Sequence, residues 1–274
     1  MESAEYGLKM PKLFLFFVSL VCATTTAIPT TNANETSSSA ILVVGGHGAG
    51  MKTELWPRSK TRCDFPDFPF NIWGAVGFNT AKGTVICGGH KENRCFIHKQ
   101  NQWMPLTNMT TKRGFATATE VNNDQTLVIG GYDGNDVLKT TELISSSGTE
   151  KGKDFTEPIH SHCSFKINGT HALVTGGGHD KSDSASASTW FVDLSNTTFT
   201  PGPTMNRKRM LHGCATFRLG TKSFGIVAGG WAGGSTEIIE LDEESPTWTE
   251  GMQEKSKNSL SLTKVFFLLI FRSK

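Results

Sequence analysis

An all-β fold assembled from repeated four-stranded modules is what this sequence predicts, and three observations predict it. Short apolar runs end in a Gly-Gly pair five times. The pairs recur at nearly constant spacing, and further β-branched or aromatic stretches follow each one across polar loops. Self-similarity with a period of this size marks a repeat architecture and takes precedence over any local reading.

The runs are Leu42-Val43-Val44 before Gly45-Gly46, Val85-Ile86-Cys87 before Gly88-Gly89, and Leu127-Val128-Ile129 before Gly130-Gly131. They continue with Ala172-Leu173-Val174-Thr175 before Gly176-Gly177 and Gly225-Ile226-Val227-Ala228 before Gly229-Gly230. From second glycine to second glycine the spacings are 43, 42, 46 and 53 residues. Short, β-branched and bounded by glycine, these runs read as buried second strands, and the glycines permit a sharp exit where a Cβ would clash.

After each variable polar loop comes a third strand, seen in Arg94-Cys95-Phe96-Ile97, Thr140 to Ile144, Thr189 to Leu194 and Thr236 to Leu241. An aromatic residue follows at Phe65, Trp103, Phe155, Phe199 and Trp248, usually with proline close behind, which predicts an outer edge strand where a missing N–H costs no ladder bond. A Gly- and Ala-rich stretch then leads into the next apolar run: Trp73 to Phe78, Phe115 to Thr119 and His212 to Phe217. Small residues there suit a crowded inner strand near a central axis. Four strands per unit of this length describe a propeller blade.

At these residues the chain resembles the kelch repeat family, whose motif is an apolar strand ending in Gly-Gly, a later aromatic residue, and Met-x-x-x-Arg leading into the next blade. Met205 and Arg209, followed by His212, match it, as do Met109 and Arg113. Blades one and three lack the Met and Arg pair and are expected to pack their junctions differently; the fifth begins to match at Met252 but has Ser256 where arginine belongs. The resemblance spans residues 41–254 and implies a kelch-type β-propeller with five recognisable four-stranded blades, in a ring that five need not complete.

The ends read differently. The apolar run 13–23 follows Lys9 and Lys12 and closes on Val21-Cys22-Ala23, so residues 1–23 are expected to be a signal peptide cleaved after Ala23. Residues 24–40 form a polar, low-complexity linker with little to bury, expected to be disordered. Residues 255–274 are an atypical tail in which Val265 to Phe271 is too short to span a bilayer, so no stable membrane span is expected in the mature chain. Three readings of that tail stand open: a truncated end that has lost a sixth repeat, the inner strand that closes blade one, and a lipid-anchor signal. Secretion makes Asn34, Asn108, Asn168 and Asn196, each opening an Asn-x-Thr tripeptide, candidate glycan sites.

Composition removes several function classes. The formal charge is +2, and setting aside the five basic residues of 255–274 leaves −3, which gives no basic footprint for nucleic acid. Removing Cys22 with the leader leaves Cys63, Cys87, Cys95, Cys163 and Cys214, an odd number for a secreted chain. Cys87 and Cys95 flank one loop and are the candidate disulfide, with Cys63 competing for either; Cys163 and Cys214, at similar places on inner strands, read as buried small apolar residues. No Cys-x-x-Cys is present, and neither a metal nor another cofactor is expected.

Directly after the glycines stand His47, His90, Tyr132 and Trp231, with His179 one place later because the fourth copy reads Gly-Gly-Gly. These five are the candidate ligand-binding rim, since exposed rings stack on sugar faces and anchor interfaces; the competing reading is packing against the glycine turn. Copper radical chemistry of the kind hosted by some kelch folds needs two tyrosines, and only Tyr132 survives leader removal. The expectation is a secreted, non-enzymatic module that binds an extracellular protein or glycan. The alternatives are a carbohydrate-active enzyme resembling a sialic acid epimerase, for which Asp133, Asp180 and Asp242 supply no singled-out pair, and a truncated product without function.

Overall fold

The computed structural model describes residues 20–21, 41–56, 65–182, 184–231 and 234–251. Every regular element among them is a β-strand. The first sheet contains β1 (Leu20–Val21), β2 (Ile41–Val44) and β3 (Thr53–Trp56), and the second β4 (Val76–Thr80), β5 (Gly83–Cys87), β6 (Cys95–Lys99) and β7 (Gln102–Leu106). The third contains β8 (Thr117–Glu120), β9 (Gln125–Ile129), β10 (Thr141–Ser145) and β11 (Gly148–Lys151), and the fourth β12 (Cys163–Lys166), β13 (His171–Thr175), β14 (Thr189–Asp193) and β15 (Thr198–Pro201). The fifth is β16 (Gly213–Leu219), β17 (Lys222–Ala228), β18 (Thr236–Glu240) and β19 (Trp248–Glu250). All pairings are antiparallel between sequence neighbours.

The five Gly-Gly pairs each follow the second strand of a sheet, as the repeat predicts. The first sheet has three described strands, the first of them, β1, within residues 1–23. One expectation needs correction. Phe65 and Phe155 lie outside the strands, in the connections that leave the first and third sheets. Both pack forward onto the next sheet instead: Phe65 stacks on His98 at 4.0 Å, and Phe155 meets the Phe199 ring at 4.9 Å. Burial against the following unit, not edge-strand pairing, is what these positions require.

The cores lie between consecutive sheets. Ile86 packs with Leu42, Val44, Phe68 and Ile72 of the first unit, while its neighbours Val85 and Cys87 pack with Val128 and Ile144 of the third. Alternate side chains of one strand point to opposite faces, so each central strand contributes to two cores. Leu127 and Ile129 share a core with Val174 and Val192, and Leu173 and Phe165 share one with Val227 and Ile239. The sheets thus stack face to face in chain order.

Backbone bonds between equivalent positions tie the inner ends together. Phe115 N–H donates to the Gly74 carbonyl at 2.8 Å, Ser161 N–H to Phe115 at 2.8 Å, and Leu211 N–H to Ser161 at 2.7 Å. No closed ring is present among the described residues. The second glycine of the first four pairs reaches the next connection in the same way: Gly46, Gly89, Gly131 and Gly177 donate to the carbonyls of Ile72, Arg113, Ile159 and Arg209 at 2.8 to 3.0 Å. The approach is so close that a Cβ on Gly130, whose φ is 60°, would stand 2.2 Å from the Ile159 carbonyl oxygen.

Those same four positions explain how the junctions without arginine pack. Arg113 enters the third unit and pairs with Glu142 at 2.6 Å; Arg209 enters the fifth and pairs with Glu237 at 3.0 Å, all four side chains being buried. At the other two junctions the arginine is replaced by Ile72 and Ile159. The glutamate's register position, opposite the residue two before the first glycine, is held there by Phe96 and Trp190. Charge and counter-charge alternate with aliphatic and aromatic at one structural site.

Candidate ligand-binding rim

Antiparallel order places the Gly-Gly loops and the connections between sheets at one end of the structure, and the tight hairpin turns at the other. At the loop end the residue after the glycines takes a fixed backbone position. His90 N–H donates to the Trp73 carbonyl at 3.0 Å, Tyr132 N–H to Gly114 at 2.7 Å, and Trp231 N–H to Met210 at 2.9 Å. The rim therefore draws side chains from two strips of chain, the glycine loops and the connections.

In the first three units the two strips merge into one row of rings. His47 meets Trp73 edge-on at 5.4 Å, Trp73 stacks on His90 at 4.4 Å with planes 22° apart, and His90 lies 6.5 Å from the Tyr132 ring at 28°. Phe115 supports Trp73 from the side at 5.3 Å. His47 is exposed, and Trp73, His90, Phe115 and Tyr132 are half-buried. The Tyr132 hydroxyl donates to the Gly134 carbonyl at 3.0 Å, which fixes its ring. Desolvation, with Lys91 beside it, lowers the His90 pKa below the usual imidazole value, so that ring is neutral at physiological pH.

The structure thus brings together three of the five rim candidates and separates two. His179 does not take the rim position in the fourth unit: Gly178 does, its N–H on the His160 carbonyl at 2.9 Å. A Cβ at Gly178 would stand 2.7 Å from His160 Nε2, so the imidazole of the connection fills the place that the loop residue fills elsewhere. His179, displaced by one residue, turns Nδ1 towards the Pro158 carbonyl at 3.0 Å. Trp231 is 39% exposed in the fifth unit. An open groove of about 390 Å³ is lined by His179, Asp180, Ser184, Ala185, Ala187 and Lys208 among others.

Trp73 and Phe115 are the rim residues that the repeat alone did not single out. They sit one and two places beyond the Ile72 and Arg113 positions, so aligning the connections, and not only the glycine loops, would have exposed them. The inner strands carry a further set. His162 Nε2 lies 2.8 Å from Thr117 Oγ1 of the preceding unit, and His212 Nε2 lies 2.8 Å from Thr175 Oγ1. Both imidazoles are buried, and desolvation drives each pKa from 6.5 to about 3.

Cys87 and Cys95, register partners on β5 and β6, are joined by the expected disulfide. Cys163 and Cys214 are corrected from packed apolar residues to a second disulfide, which crosses from β12 to β16 and so links two sheets. Cys63 lies outside the described residues. Two disulfides are compatible with an extracellular protein. Among the described residues, no group of three or more His, Cys, Asp or Glu side chains could hold a metal ion, and no helix is long and apolar enough to cross a membrane. Of the sequons, Asn108, Asn168 and Asn196 are all exposed, and Asn34 lies outside the described residues.

No protein-family model matches the chain, and no curated protein matches it.

Proposed function

We propose that this chain is a secreted kelch-type β-propeller that binds an extracellular protein or glycan through the Gly-Gly-loop end of its first three blades. The observation that carries this reading is the row His47, Trp73, His90 and Tyr132, which crosses three units and ends on an exposed ring. Rings held by one another and by backbone bonds lose little freedom when a partner settles on them, and preorganised aromatic anchors dominate binding energy at interfaces. The propeller reading is supported by the chain-order stacking of the sheets and by the bonded series Gly74, Phe115, Ser161 and Leu211. The kelch resemblance is supported by Arg113 and Arg209, which perform the same structural task at alternate junctions. Secretion is supported by the leader-like N-terminus and the two disulfides.

The purified chain, applied to a glycan array and to an extracellular protein library, is expected to give a hit that the double variant His47→Ala, Tyr132→Ala weakens at least about tenfold, the effect of losing a modest hot spot. Thermal unfolding of the variant checks that the fold persists. Unchanged binding in a folded variant would remove the rim from the interaction.

A further inference from the structure

We infer that the hairpin end of the fourth sheet is a glycan-bearing face, with N-linked oligosaccharide on both Asn168 and Asn196; the inference rests on the reading of this chain as secreted. Asn168-Gly169-Thr170 makes the turn between β12 and β13, and Asn196-Thr197-Thr198 the turn between β14 and β15. Both turns lie at the same end of the sheet, opposite Gly176 and Gly177, and they are bonded side by side by Leu194 N–H on the Thr170 carbonyl at 2.8 Å. Both asparagines are exposed.

In each turn the asparagine Oδ1 accepts both the N–H and the hydroxyl of the threonine two residues on. Asn168 uses only its carbonyl oxygen: Oδ1 accepts the N–H groups of Thr170 and His171, each at 2.9 Å, and the Thr170 hydroxyl at 3.2 Å. Asn196 Oδ1 accepts Thr198 N–H at 3.0 Å and its hydroxyl at 2.6 Å, while Nδ2 donates one hydrogen to Asp193 Oδ2 at 3.0 Å. The donor for the modification is a lipid-diphosphate-linked oligosaccharide. Nδ2 forms a bond to the anomeric carbon, that carbon's bond to the diphosphate oxygen breaks, and one amide proton is lost to the departing diphosphate's side. The amide keeps its other hydrogen, so the Asp193 bond survives the modification, and every bond made by Oδ1 is untouched.

The position gives the face its role. β13 has five residues, which at about 3.4 Å each sets the Asn168 turn roughly 17 Å from the Gly-Gly loop of its own sheet. Oligosaccharide there screens the hairpin end and leaves the rim open to a partner. Asn108 stands apart from this pair: it follows β7 at the loop end, with Oδ1 accepting Cys95 N–H at 3.4 Å.

The test is peptide mapping by mass spectrometry of the full chain exported from a eukaryotic cell, once with its own N-terminus and once with a foreign secretion leader placed before Thr24. Both Asn168 and Asn196 are expected to carry glycan in the exported protein, and Asn168→Gln and Asn196→Gln each to remove one glycan from the intact mass. Exported protein with either asparagine bare overturns the inference while leaving secretion standing. Glycan on both sites only under the foreign leader upholds the sites and overturns secretion by the chain's own leader. Mapping the unsubstituted chain keeps the result readable if a Gln variant fails to fold.

Discussion

Arg113 and Glu142 lie 2.6 Å apart with neither side chain exposed to solvent, and they tie the connection between the second and third sheets to β10. The guanidinium also donates to the Gly130 and Thr140 carbonyls at 2.7 and 2.9 Å, and Glu142 accepts Thr110 N–H at 2.6 Å and Thr111 N–H at 3.1 Å. Desolvation lowers the Arg113 pKa and Glu142 opposes that shift, so each charge is tolerated because the other is present. Replacing Glu142 by Gln leaves a buried cation without its counter-charge and is expected to cost about 3 to 5 kcal/mol in urea unfolding. The double variant Arg113→Ile, Glu142→Phe copies the junction formed by Ile72 and Phe96 and is expected to recover most of that loss. A double variant no more stable than Glu142→Gln would show that the two junction types are not interchangeable.

The two disulfides should differ in effect because they close loops of different length. Cys163 and Cys214 are separated by 51 positions and Cys87 and Cys95 by 8. In the chain-entropy account the longer loop is worth about 4 kcal/mol and the shorter about 2.5 kcal/mol. The paired Ser variants are therefore expected to lower unfolding free energy in that order. The longer link also joins sheets that share no strand ladder, so its loss should speed proteolysis near residues 163 and 214 first. Equal destabilisation by the two paired variants would contradict this.

Acid should loosen the inner strands through His162 and His212. Their folded pKa values, about 3, lie below the ordinary value of 6.5. Below pH 6.5 the unfolded chain takes up protons that the folded chain refuses, so stability is full above that pH and falls as pH drops towards 3. Each histidine contributes a slope of up to about 1.4 kcal/mol per pH unit. Desolvation is the main cause for both; at His162 the other histidines 160, 212 and 179 add repulsion, and at His212 Arg209 does. Unfolding measured at pH 7.5 and pH 5 is expected to show the loss, and His162→Gln to reduce it. A flat profile between those two pH values would remove both groups from the account.

Strand count and order were legible in the sequence at the second to fifth glycine pairs; at the first four pairs the backbone passes within touching distance of the next connection and excludes any side chain. The rim was legible only in half. Position after the glycines identified His47, His90 and Tyr132, but Trp73 enters from a connection whose repeat is masked by Ile72 standing where Arg113 and Arg209 stand. His179 stands one place farther on because Gly178 takes the rim position and His160, from the connection, fills its space. The Cys163–Cys214 link was hidden because the bonded residues lie one place apart in their strands, and only the stagger between neighbouring sheets brings them together. Sequence periodicity reports contacts within a unit; contacts between units depend on how the sheets lie against each other.

The glycine repeat makes its own quantitative claim. At Gly130 a side chain faces two costs at once: φ is 60°, where an L residue is disfavoured by about 1 to 2 kcal/mol, and the added Cβ would meet the Ile159 carbonyl oxygen at 2.2 Å. That oxygen is also the acceptor for Gly131 N–H, so it cannot retreat without breaking the bond that couples the third sheet to the next connection. Gly130→Ala is expected to lower unfolding free energy by at least about 2 kcal/mol, placing it among the backbone-strain class of damaging substitutions. Gly234→Ala, where an added Cβ meets nothing within 4 Å, is the control and should change stability by less than about 0.5 kcal/mol. If the two variants unfold at the same denaturant concentration, close approach between units does not explain why the glycine pairs recur.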